Sequence, residues 1–250
     1  MASIKDVGKE TPAPYFIPRH VHLCETGSQV IFLDLRRDKY LAIGRAQRQA
    51  LSGQVRGWPA DSDDDARMRQ LQGSSEPVVR SMLQLGLLTA DPSLGKEAAH
   101  PIIESVGESL VDDDFEPRIS IRGVHLCKFL LSCARAKIAL RLGSLEHTVE
   151  TVRRRKARAL GRGNAFDLRK NRELVAIFDR LRPFVFTAKD ACLFDSLALI
   201  EFLAMHGSYP TWVIGVHTQP FSAHSWVQHN ELSFNGLVEF LRRFTPILAV

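Results

Sequence analysis

The run Asp190-Ala-Cys192-Leu-Phe-Asp-Ser-Leu-Ala-Leu-Ile-Glu-Phe-Leu-Ala-Met-His206, closed by Gly207, decides how the chain is read. Leu193, Leu197, Ile200 and Leu203/Ala204 recur every three or four residues, the period of a helix, and the run is apolar enough for that helix to be mostly buried. Cys192 falls in its first turn. There the unpaired backbone N–H groups and the positive end of the helix dipole stabilise a thiolate, the form of cysteine that attacks carbonyl carbon. A lone helical cysteine is more often a packing residue, so a catalytic reading needs a proton acceptor and a group that orients it.

Downstream, Thr211-Trp-Val-Ile-Gly-Val216 and Ala223-His-Ser-Trp-Val-Gln228 have strand character and are joined by a loop over 217–222 that contains Pro220. His224, at the start of the second strand, is the candidate to take the thiol proton and return it to a leaving amine. Asn235, just past a short strand expected at Leu232–Phe234, is the candidate to hold the imidazole. His229 and Glu231 read as solvent-facing, and Asp195 receives no role. Cys24, Cys127 and Cys133 read as packing residues. The four cysteines form no CxxC pair and no metal-ligand spacing, so neither a metal, a disulfide framework nor any other cofactor is expected.

Outward from this core, helices are expected at Val124–Leu142, Leu145–Leu160 and Glu173–Leu181, the last ended by Pro183. Near the N-terminus, strands are expected at Tyr15–Ile17 and Val21–Leu23, at Gln29–Leu35 and at Lys39–Ile43, separated by Glu25-Thr-Gly-Ser28 and Arg36-Arg-Asp38. Helices follow at Arg45–Gly53, Asp63–Gln72 and Glu76–Leu85. The chain therefore reads as α+β. Residues 15–90 form a winged-helix-like unit of three strands and three helices, residues 91–117 an acidic linker containing Asp112-Asp-Asp114, and residues 118–250 a second domain.

Bulk properties exclude little else. The 250 residues are 45% hydrophobic and 24% charged, ordinary for a folded globular protein and unlike a disordered one. Met1–Pro14 lacks the apolar core of a signal peptide and no stretch approaches a membrane helix, so a cytoplasmic chain with no membrane association is expected. The net charge of +5 is concentrated in Arg153, Arg154, Arg155, Lys156, Arg158 and Arg162. Without arginine–aromatic interleaving or zinc-finger spacing, that run reads as the solvated face of a helix rather than a nucleic-acid surface.

Three strings together, Cys192-Leu-Phe-Asp-Ser-Leu-Ala-Leu, Trp212-Val-Ile-Gly-Val and Pro220-Phe-Ser-Ala-His224-Ser-Trp-Val, resemble the B protein of lasso-peptide biosynthesis. That resemblance implies a transglutaminase-like, papain-like cysteine peptidase domain with Cys192 and His224 as the first two members of its triad. The third is normally an aspartate; its position falls here on Gly236, beside Asn235, and Gln228 stands where a glutamate is common. Residues 15–90, with Val30-Ile-Phe-Leu-Asp-Leu35 and Lys39-Tyr-Leu41, resemble the precursor-peptide recognition element that some lasso systems fuse to the peptidase.

The implied function is to bind the leader of a ribosomal precursor peptide and cut the leader–core bond. The freed core amine would pass to a partner, an ATP-dependent lasso cyclase; no phosphate-binding glycine loop is present in this chain. An extended leader would add a strand along Lys39, Tyr40, Leu41 and Ala42, and a groove against the helix carrying Val79 and Leu83 would receive its apolar side chains. Alternative readings are a non-catalytic leader-binding and delivery module, a thiol acyltransferase, and a winged-helix nucleic-acid binder.

Overall fold

A computed structural model describes residues 15–27, 29–58, 75–111, 119–163, 166–186 and 192–250. The helix expected at Asp63–Gln72 and the acidic Asp112–Asp114 lie outside the described residues.

The N-terminal part is built on an antiparallel sheet of order β2-β3-β4, with β2 at Val21–Thr26, β3 at Gln29–Asp34 and β4 at Lys39–Ile43. The β3–β4 turn is held by Asp34, whose carboxylate accepts the Arg36 N–H at 2.9 Å and the Arg37 guanidinium at 2.8 Å. β3 is apolar without alternation because both of its faces are covered. Val30 and Phe32 pack into a core with Leu51 of α1 (Arg45–Leu51) and Val79 and Met82 of α2 (Glu76–Gln84). Ile31 and Leu33 point the other way, into the core of the C-terminal part. β4 is an edge strand, and short β1 (Ile17–Pro18) pairs with β5 (Gly95–Lys96).

The C-terminal part combines four helices with a five-stranded sheet, the last helix packing against the sheet and the others grouped around it. The helices are α3 (Gly123–Leu142), α4 (Leu145–Leu160), α5 (Leu168–Leu181) and α6 (Cys192–Met205). Ser144 caps α4 by accepting the His147 N–H at 3.1 Å, and Asp167 caps α5 by accepting that of Lys170 at 3.1 Å. That Asp167 cap starts α5 ahead of the Glu173 expected from periodicity.

The sheet has the order β10-β7-β8-β9-β6. Its central hairpin joins β7 (Thr211–Thr218) to β8 (Phe221–His229), and Thr218 pairs with Phe221, so most of the expected 217–222 loop is strand. β9 is Leu232–Ser233, and α7 (Val238–Leu241) leads to β10 (Thr245–Ala249). β10 carries no clear sequence signal because Pro246 interrupts it; as an edge strand it tolerates the missing donor, and its register shifts between Pro246 and Leu248.

The stretch expected as a linker contributes two strands: β5 pairs with β1 in a separate two-stranded sheet, and β6 (Glu108–Ser109), parallel to β9, joins the five-stranded sheet. Between them the Glu104 carbonyl accepts from Gln228 at 2.9 Å and the Val106 carbonyl from Arg242 at 2.8 Å. Among the described residues no helix is long and apolar enough to cross a membrane.

The central hairpin has two distinct faces. Trp212, Ile214, Val216 and Val227 share a core with α6, whereas Val213 and Trp226 pack on the other side with Val106 and Leu241. Gly215 sits on that second side, where a Cβ would come within 2.8 Å of the Trp226 ring. The glycine is required by this close approach.

Candidate active site

Cys192 is the first residue of α6 and carries a free, half-buried thiol. Of the other thiols, Cys127 is exposed rather than the packing residue expected, while burial pushes Cys24 up to about 12 and Cys133 to about 11, which keeps those two protonated and unreactive. The first turns of α6 are pinned to the hairpin by a buried polar cluster. Ser196 Oγ lies 2.7 Å from Ser225 Oγ, and the Trp212 indole N–H donates to both, at 3.0 and 2.8 Å. Ser225 in turn donates to the Val213 carbonyl at 3.0 Å. Every member of this cluster is bonded, so it fixes the helix start without an unsatisfied buried group.

His224 is carried by β8, but strand alternation sends its ring away from α6. It pairs with Gly215, and its ring packs among Trp226, Phe240 and Phe244, with centroids 6.4, 5.0 and 5.3 Å away. Ser225 and Val227 occupy the helix-facing positions instead. Burial holds the imidazole below its ordinary 6.5, so it is neutral at neutral pH. Asn235 does not hold this ring. Its Oδ1 accepts the Val227 N–H at 2.9 Å and its Nδ2 donates to the Asp195 carboxylate at 3.2 Å, which ties β8 to α6. Sequence periodicity could not separate these arrangements, because β8 is buried on both faces.

Residues 130–249 match the family model described as the transglutaminase-like superfamily. That stretch, just under half of the chain, is similar to the transglutaminase-like superfamily. Its members are usually cysteine peptidases or acyltransferases, and the matched stretch includes Cys192, His224 and Asn235. Comparison with curated proteins and with solved structures gave no significant match.

Within the matched stretch, the buried Asp195 belongs to an ionic network that the sequence did not reveal. Its carboxylate lies 3.4 Å from the Arg182 guanidinium, which is also 3.5 Å from Asp179. Burial raises both carboxyls, Asp179 to about 6, and Arg182 offsets the effect only in part. A carboxyl whose folded pKa exceeds its unfolded 3.8 binds a proton more readily in the folded chain. Its contribution to stability is therefore lost as pH rises from about 4 through about 6. Asp179→Asn is expected to flatten that decline, as read by urea unfolding midpoints on either side of the interval. An unchanged decline would show that Asp179 titrates like an unfolded-chain carboxyl.

The peptide-binding candidates divide. Lys39, Leu41 and Ala42 are exposed on the edge strand β4. Tyr40 is half-buried: its ring packs edge-on against Phe221 at 5.4 Å, it lies against the core that contains α6, and burial raises its phenol. The edge strand thus packs on β8 and on the core shared with α6. Val79 is committed to the N-terminal core, and Leu83 is only partly buried against it, so of the two Leu83 alone keeps exposed apolar surface. Among the described residues no cluster of three metal-binding side chains occurs.

Proposed function

We propose that the chain is the leader peptidase of lasso-peptide maturation, a fused winged-helix-like recognition element and thiol peptidase. The carrying observation is that Tyr40 of the open β4 edge packs on Phe221 of β8 and against the core that α6 shares. A leader paired along Lys39, Tyr40, Leu41 and Ala42 gains main-chain hydrogen bonds, and tethering raises the local concentration of its scissile bond at Cys192.

In this reading the Cys192 sulfur attacks the carbonyl carbon of the leader–core bond, after His224 accepts the thiol proton. The C–N bond breaks, the imidazolium protonates the departing core amine, and the leader remains as a thioester. Water then releases the leader carboxylate and restores the thiol. The free core amine goes to an ATP-dependent cyclase. Catalytic hydrogen bonds often form only with substrate in place. The mechanism requires the His224 ring to leave its aromatic surroundings when the precursor binds.

The orientation of His224 favours a second reading, a leader-binding and delivery module without cleavage. Mass spectrometry of the cognate precursor, with leader binding followed by fluorescence anisotropy, separates the two. A peptidase releases leader, and Leu41→Asp weakens leader binding about tenfold or more while Cys192→Ala does not. Precursor that binds through β4 but is never cut, with or without cyclase, sinks the peptidase reading and leaves delivery standing.

A further inference from the structure

The basic run on α4 does more than solvate a helix. Lys156 turns toward β7, donating to Thr211 Oγ1 at 2.8 Å, and Arg153 pairs with Glu150 at 3.1 Å. The remaining four, Arg154, Arg155, Arg158 and Arg162, line one cavity of about 430 Å3 together with Tyr209 of the turn between α6 and β7. Arg154, Arg158 and Arg162 follow one another at four-residue spacing, where like charges repel.

Carboxylates relieve only half of this charge. Arg154 pairs with Glu150 at 2.7 Å and Arg155 with Glu201 at 2.8 Å. No acidic residue follows Glu150 in α4, and among the described residues the guanidinium groups of Arg158 and Arg162 have no ion-pair or hydrogen-bond partner. The carbonyl end of α4 favours a cation at Arg158, but that does not account for four guanidinium groups around a cavity.

Two uncompensated guanidinium groups match a dianion, and their planar forks match phosphate oxygens, which accept two parallel N–H bonds from each. The volume falls within the roughly 300–1,000 Å3 of small-molecule sites and exceeds what a bare phosphate fills. Tyr209 adds an aromatic wall on which a ring could lie.

We propose that this cavity is a phosphoanion site, with the phosphate on Arg158 and Arg162, flanked by Arg154. The proposal is independent of peptidase activity and is tested on the full chain by titration calorimetry with ADP, inorganic pyrophosphate and a single-stranded RNA. The expected result is saturable, salt-sensitive binding of ADP or pyrophosphate that falls about tenfold or more in Arg158→Gln/Arg162→Gln, with the melting temperature of that variant as the folding control.

Tighter binding of ADP than pyrophosphate, lost in Tyr209→Ala, assigns the phosphate to a nucleotide; equal binding of the two assigns it to a free phosphate. No saturable binding of either, or binding unchanged in the folded double variant, overturns the proposal. RNA binding that ADP does not compete away overturns it in favour of a nucleic-acid surface.

Discussion

Cys192→Ala is expected to reduce leader release by a factor on the order of 10^4 or more, because it removes the only atom that forms the acyl intermediate. The same change should leave folding nearly intact. Cys192 is half-buried at the start of α6, while the anchoring of that helix rests on Ser196, Trp212 and Ser225. His224→Ala is expected to cost about 10^2–10^4, the usual worth of a positioned base. Asn235→Ala acts differently, since its side chain links Val227 to Asp195; its loss should appear in unfolding midpoints more than in turnover. Single-turnover cleavage of the precursor beside urea unfolding of each variant separates these effects. A Cys192→Ala protein that cuts at the wild-type rate would remove the thiol from the mechanism.

Trp212→Ala is expected to be the most destabilising single change, at about 3–5 kcal/mol. The side chain is fully buried, packs between α6 and the hairpin, and satisfies two serine hydroxyls through one N–H. Against a typical total of about 5–15 kcal/mol, such a loss would leave much of the population unfolded on warming. Trp212→Phe keeps most of the apolar volume and removes the N–H, so about 0.5–1.5 kcal/mol is expected. Ser196 and Ser225 still bond each other in that variant, and Ser225 still donates to Val213. Urea unfolding followed by near-ultraviolet circular dichroism measures both. An alanine variant that loses less than the phenylalanine one would mean that packing at Trp212 does not hold the hairpin to α6.

The long elements were legible because each carries its own period. The buried helix beginning at Cys192 and the α4 helix from Leu145 to Leu160 emerge where the apolar spacing puts them. Elements that depend on distant partners were not. β6 is two residues that become a strand only by pairing with β9, and β10 is masked by Pro246. The face taken by His224 is hidden for a different reason. Both faces of β8 are buried, so alternation offers no polar side, and the Ser225 bond to Ser196 together with the packing of Val227 fixes which residues look at α6. Asp195 stayed without a role because its partners, Arg182 and Asn235, come from separate segments.

The central claim, that Cys192 takes the leader as a thioester, is read most directly by intact mass spectrometry of acid-quenched mixtures of protein and precursor. The expected result is a transient adduct of leader-acyl mass that maps to the peptide bearing Cys192, decays in water as free leader appears, and is absent from Cys192→Ala. Leader release without any such adduct, or with the adduct on another residue, would contradict it.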